Sequence, residues 1–213
     1  MTAIKPSSDL DRFGLGPDLG APNPQPSLSG DHWVPIRDLH ARHRRRILDH
    51  LLHLDERDRY LRFGFPATQH QMAQYVASID FKRDEVFGIF NRRVQLIAMA
   101  HVAFAQSEDT QSCAEFGVSV LASARGRGYG GLLFDRAVTL ARNRGVSMMF
   151  IHALTENTAM LKIARNAGAR VHQDGSESQA YLQLPPAGLD TRMSKIVAEH
   201  FGEVDYQLKK QAR

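Results

Sequence analysis

The sequence predicts an α+β fold: a mixed, mostly antiparallel sheet flanked by helices, with one strand–helix–strand unit near its middle. Three observations predict it. EVFGIFN (85–91) and VQLIAMAHVAF (94–104) are apolar runs parted only by Arg92 and Arg93, the pattern of an antiparallel hairpin. AEFGVSVL (114–121) is a further strand, and it leads into the glycine-rich stretch RGRGYGG (125–131). LLFDRAVTLARNRG (132–145) then carries Leu132, Leu133, Arg136, Ala137, Leu140 and Ala141 at helical spacing, with Gly145 as its stop, before the buried strand VSMMFIHAL.

The other elements follow in chain order. Residues 1–30 hold five of the nine prolines (Pro6, Pro17, Pro22, Pro24 and Pro26) among glycine and serine, so this segment reads as a flexible arm that buries too little to order itself. The folded domain is expected over 31–186. WVPIRDL (33–39) is a short strand, with Pro35 favouring an edge. A helix runs to about Leu54 on Ile47, Leu48, Leu51 and Leu52. YLRFGFPAT (60–68) reads as a loop. Thr68 caps a helix over about 69–78 that carries Met72, Tyr75 and Val76, with Ile79 just beyond it. The polar SEDTQS (107–112) is a turn between strands. ENTAMLKIARNAGA (156–169) is a helix closed near Gly168. Short strands at about 170–173 and 179–184 end at Pro185 and Pro186. Residues 187–213 read as a helical extension, with Leu189, Met193, Ile196, Val197 and Phe201 at helical spacing. It packs on its own core or, alternatively, forms a homodimer contact.

Composition bounds the function. With 43% hydrophobic residues in 213, one sizeable core is available. No apolar run nears the roughly 20 residues that span a bilayer, and no h-region follows Lys5, so neither membrane insertion nor secretion is expected. Cys113 is the sole cysteine and can form no intrachain disulfide. A cytoplasmic protein without a metal site is expected. The net charge of +4 suits a phosphate-bearing ligand and falls short of a nucleic-acid-binding signature. The densest basic run, ARHRRR (41–46), reads as a solvated helix face, with an acidic-partner patch as the alternative.

RGRGYGG bears the chemistry. A glycine-rich strand-to-helix turn aims backbone N–H groups and the positive helix end at one place, which suits phosphate oxygens. Gly126, Gly128 and Gly131 satisfy G-x-G-x-x-G. However, a dinucleotide site needs a parallel sheet and an acidic residue ending the next strand, where His152 stands instead. An ATP-type P-loop needs a lysine that is missing. RGG-type nucleic-acid segments are repetitive, and this one is single.

Arg125, Gly128 and Gly130 in R-x-x-G-x-G, preceded by VSV and followed by a helix, a strand and an Asn157-opened helix, resemble the GNAT superfamily of acetyl-CoA-dependent N-acetyltransferases. AEFGVSV and YLRFGF resemble bacterial protein-lysine acetyltransferase-like members. The resemblance implies the GNAT fold over about 33–184, with acetyl-CoA as co-substrate. It implies that the stretch Arg125, Gly126, Arg127, Gly128, Tyr129, Gly130 and Gly131 holds the pyrophosphate. Val118, Ser119 and Val120 would lie along the pantetheine arm, and Asn157 would touch the cofactor rather than act only as a helix cap.

An acceptor amine is protonated at neutral pH and must lose a proton before it attacks a thioester. The resemblance implies Glu115 as general base. Strand alternation sets Glu115, Gly117 and Ser119 on one face, opposite Phe116, Val118 and Val120. His152 is the reserve base, and His101 ranks lower because AMAHVAF looks like core. Many relatives carry a tyrosine as general acid where this chain has Ala164, so the acid is unassigned. The acceptor is expected to be a protein lysine or a small amine. The alternative is an acyl-CoA-binding sensor without turnover.

Overall fold

The computed structural model describes residues 34–104, 113–188 and 202–211. The expected arm over 1–30, the SEDTQS turn and the helical face from Leu189 to Phe201 lie outside the described residues.

Among the described residues, seven strands form one sheet in the order β1-β2-β3-β4-β5-β7-β6. They are β1 (Ile36–Asp38), β2 (Glu85–Phe90), β3 (Leu96–Phe104), β4 (Cys113–Val120), β5 (Met148–Leu154), β6 (Arg170–Asp174) and β7 (Glu177–Gln183). Every neighbouring pair is antiparallel except β4 with β5. That parallel pair needs a crossover, and α4 (Tyr129–Asn143) supplies it. Gly145, at φ 73°, ends this helix segment as expected.

Helices cover both faces. α4 and α5 (Thr158–Asn166) close one face over a core that includes Phe116, Phe134, Leu133, Met149 and Leu161. Phe116 and Phe134 meet edge to face at 5.0 Å, a contact worth about 0.5–1.5 kcal/mol beyond its area. On the other face α1 (Arg44–Leu52) and α3 (Gln69–Ser78) bury Ile47, Leu51, Met72 and Val76 against Val86, Phe90 and Met99. Thr68 starts α3 in a capping box with Gln71, as its sequence position predicts.

One expectation is corrected. Tyr60–Phe63 is not loop: it is the last turn of an additional helix, α2 (Glu56–Phe63). The Asp55 side chain caps it by accepting from the Asp58 N–H at 2.7 Å, and Gly64 closes it at φ 78°. α2 buries no residue completely. It therefore lacks the apolar stripe that marks a helix in sequence.

A final helix, α6 (202–211), docks on β1 and β2 of its own domain. Arg37 of β1 donates to both Glu203 carboxylate oxygens at 2.8 and 3.1 Å and stacks on Tyr206. Tyr206 packs against Phe90. The basic run is partly structural: Arg44 donates to the Val76 and Ile79 carbonyls, and Arg46 to that of Val94.

Candidate active site

The parallel ladder between β4 and β5 is short. It pairs Cys113 with Met148, Ala114 with Met149 and Glu115 with Phe150, then stops. Beyond Glu115 the strands diverge. β4 continues to Val120 with β3 on one side and, among the described residues, no ladder partner on the other. A strand with one open edge can accept an extended chain by backbone hydrogen bonding. This open edge runs towards the 125–131 turn.

That turn is built for close approach. Gly126 and Gly128 both hold φ 74°, a region closed to most L side chains, and the space around each is open. Gly128 caps α4, so the amides of Tyr129, Gly130 and Gly131 lie in its first turn without intrahelical acceptors. Gly130 is constrained by packing instead: a Cβ there would stand 3.0 Å from Ile163 of α5. Arg127 is exposed, and Arg125 forms an ion pair with Asp58 of α2.

α2 thus bridges the fork. Asp58 meets the turn after β4, and Arg62 lies against Gly117 of β4. The Asn157 amide, after β5, reaches the Leu61 carbonyl at 3.4 Å. Asn157 also caps α5 by accepting from the Met160 N–H at 3.1 Å. Its side chain oxygen therefore has a structural use.

The predicted facing of β4 is observed. Phe116 is buried in the α4-side core, with Val118 and Val120 packed against it. Glu115, Gly117 and Ser119 face the other way. Glu115 is exposed, with no hydrogen bond or ion pair to a described residue. It lines a hollow of about 390 Å³ with His152, Cys113, Arg83, Phe104 and Phe150. The expected base and its reserve therefore share one recess.

Ser119 differs from its neighbours. It is buried, and its hydroxyl meets His50 of α1 at 2.8 Å. The other ring nitrogen, Nδ1, donates to the Leu96 carbonyl at 2.8 Å, so Nε2 accepts from Ser119. Burial lowers the His50 pKa to about 4 and keeps the ring neutral. The Ser119 side chain is committed to this bridge and its backbone pairs with Met99 of β3, so Val118 and Val120 are the residues whose backbone groups face the open edge.

Beside Glu115 runs a polar chain that sequence reading passed over. Arg62 donates to the Tyr75 oxygen at 2.9 Å, and Tyr75 meets His101 Nδ1 at 2.8 Å. His101 Nε2 meets Asp84 at 3.1 Å. Asp84 also accepts two bonds from Arg83, at 2.7 and 3.0 Å. The donors fix the direction: the Tyr75 hydroxyl donates to Nδ1, and Nε2–H donates to Asp84. Burial lowers the His101 pKa and raises that of Tyr75, so both are neutral. His101 stands in the middle of AMAHVAF, directly opposite Gly117 in the β3–β4 register. In sequence it is a lone polar residue in an apolar strand, and that was its one signal.

Comparisons with known proteins agree with this fold. The model of the acetyltransferase (GNAT) family matches residues 48–169. The GNAT domain of PAT from S. lividans superposes with a TM-score of 0.60 at 18% identity, over 70% of this chain and 89% of that one. An N-acetyltransferase from Staphylococcus aureus Mu50 gives 0.55 at 16% identity, over 70% and 98%. The yncA structure from Salmonella typhimurium, solved with its cofactor acetyl-CoA, gives 0.56 at 15% identity, over 73% and 96%. At these identities the likenesses establish the fold. No curated protein matches the chain.

Proposed function

The chain belongs to the GNAT acetyltransferase family, and on that premise we propose that it transfers an acetyl group from acetyl-CoA to a primary amine. The observation that carries this reading is the fork: the β4–β5 ladder ends at Glu115, and the open β4 edge leads to a glycine turn at a helix start. The residues fit the donor. The amides around Gly126, Gly128, Tyr129, Gly130 and Gly131, with Arg125 and Arg127 beside them, suit the pyrophosphate. The backbone of Val118 and Val120, with Ser119 between them bonded to β3, suits the pantetheine amides, and a β4 N–H on that edge suits the thioester oxygen. Asn157 stands at the opposite side of the fork. The yncA structure, which holds acetyl-CoA on this fold, supports the same donor.

Glu115 takes the role of general base. The ammonium of the acceptor gives one proton to the carboxylate, directly or through water, and the freed amine attacks the thioester carbon. A C–N bond forms and the C–S bond breaks. The amide nitrogen sheds a second proton, and the departing thiolate takes up one. The sum is an N-acetyl amine, free coenzyme A thiol and one released proton. A protein lysine and a small amine are the two acceptor classes. Ala164, fully buried where many relatives carry a tyrosine, offers no acid; it is also what favours the alternative, an acyl-CoA-binding module without turnover.

Two measurements on the same protein test this. Acetyl-CoA at 100 times its Kd is expected to stabilise the fold by about 2.7 kcal/mol, and thiol release is expected to depend on an amine acceptor. Stabilisation without turnover across broad acceptors selects the binding module. No stabilisation removes both readings.

A further inference from the structure

Arg62 bears on the acceptor. Arg37, Arg83, Arg125, Arg136 and Arg144 each face a carboxylate. Arg62 faces a phenol: its one hydrogen bond to a described residue goes to the Tyr75 oxygen. A guanidinium has five N–H donors in a planar fork that matches a carboxylate, so the described residues use little of its capacity. Arg62 is held from behind by the Tyr75–His101–Asp84 chain and rests on Gly117. Glu115 shares that strand face two residues away, about 7 Å along the strand. The two charges are not paired with each other, yet both act on Tyr75 and His101.

Among the described residues, one cation without a carboxylate and one anion without a cation thus stand side by side at the mouth of the fork. A lysine side chain brings only an ammonium. Glu115 attracts it and Arg62 repels it, and the guanidinium stays without an anion. An amine with a carboxylate beside it satisfies both groups at once.

We infer that the acceptor is a small zwitterion of the α-amino-acid class, its amine directed to Glu115 and its carboxylate to Arg62. The inference rests on the acetyl-transfer reading and deepens it. The acceptor's side chain would extend into the hollow beside Glu115, against Phe104, Phe150 and His152. Arg62 is then a specificity residue, and Tyr75 positions it.

The test is the rate of thiol release from acetyl-CoA with the twenty L-amino acids, their matched α-amides and a lysine-containing peptide. At least one amino acid is expected to exceed its amide by about 10²-fold in kcat/KM, the scale of losing one partner of a desolvated charge pair. Arg62→Gln is expected to abolish that preference through the KM of the acid. Arg62→Lys is expected to restore part of it, and Tyr75→Phe to weaken it less than Arg62→Gln. Equal use of acid and amide overturns the inference. So does preference for the peptide, which would leave acetyl transfer standing. An equal fall in kcat for acid and amide in Arg62→Gln also overturns it, by moving Arg62 to the thioester. If no amino acid is acetylated the inference fails, and stabilisation by acetyl-CoA, measured alongside, shows whether the acetyl-transfer reading fails with it.

Discussion

The Arg62 guanidinium lies against the backbone of Gly117: a Cβ built there would stand 2.7 Å from Nη2, 2.8 Å from Cζ and 2.9 Å from Nη1. Gly117→Ala must displace the guanidinium, which is the free end of a flexible side chain. Stability is expected to fall by about 1 kcal/mol or less, while acceptor KM rises as it does in Arg62→Gln. Chemical denaturation and acceptor kinetics read the two effects separately. An unchanged KM would mean that the acceptor does not meet Arg62.

Gly88 offers the contrasting case. A Cβ there would stand 2.6 Å from the Ala98 carbonyl oxygen and 2.5 Å from Leu96. The carbonyl belongs to the neighbouring strand and cannot swing aside. Gly88→Ala is expected to cost about 1–3 kcal/mol as overpacking, read as a lower denaturation midpoint.

The buried histidines set a pH dependence of stability. His50 and His43 fall from 6.5 to about 4 in the folded chain, in both cases through burial first; nearby cations, Arg37 foremost, add to the effect at His43. Between those values the unfolded chain binds more protons, so stability is complete above about pH 6.5 and is lost as pH falls towards 4. His50 alone accounts for on the order of 3 kcal/mol. Unfolding free energies at pH 7 and pH 5 are expected to differ in that direction, and His50→Gln to flatten the slope. A stability independent of pH across this window would show that His50 is not held neutral.

Gly128 links stability to the cofactor. Its φ of 74° costs an L residue about 1–2 kcal/mol, and the altered turn would misdirect the first amides of α4. Gly128→Ala is expected to lower stability by that amount and weaken acetyl-CoA binding, measured by titration calorimetry. Wild-type affinity in this variant would remove the turn from the binding site.

The frame of this site was legible in sequence because its signals are local. Alternation in AEFGVSV sets the facing of β4, the glycines mark the turn, and Thr68 with Gln71 marks the start of α3. The content of the acceptor side was not legible, because it depends on long-range partners. α2 hides because its faces are polar or half-buried, although Asp55 and Gly64 bracket it with ordinary caps. Arg62, Tyr75, Asp84 and His101 come from four separate elements or turns, and nothing in their spacing announces a chain of hydrogen bonds. Ser119 read as part of the strand beside the cofactor; only the fold shows its hydroxyl spent on His50.

The most direct measurement is the turnover of Glu115→Gln beside its affinity for acetyl-CoA. The substitution keeps the shape of an exposed side chain that bonds to no described residue, so the fold has little to lose. Turnover is expected to fall by about 10²–10⁴-fold, with acetyl-CoA bound as tightly as before. Turnover equal to wild type would contradict the assignment of Glu115 as the base at the β4–β5 fork.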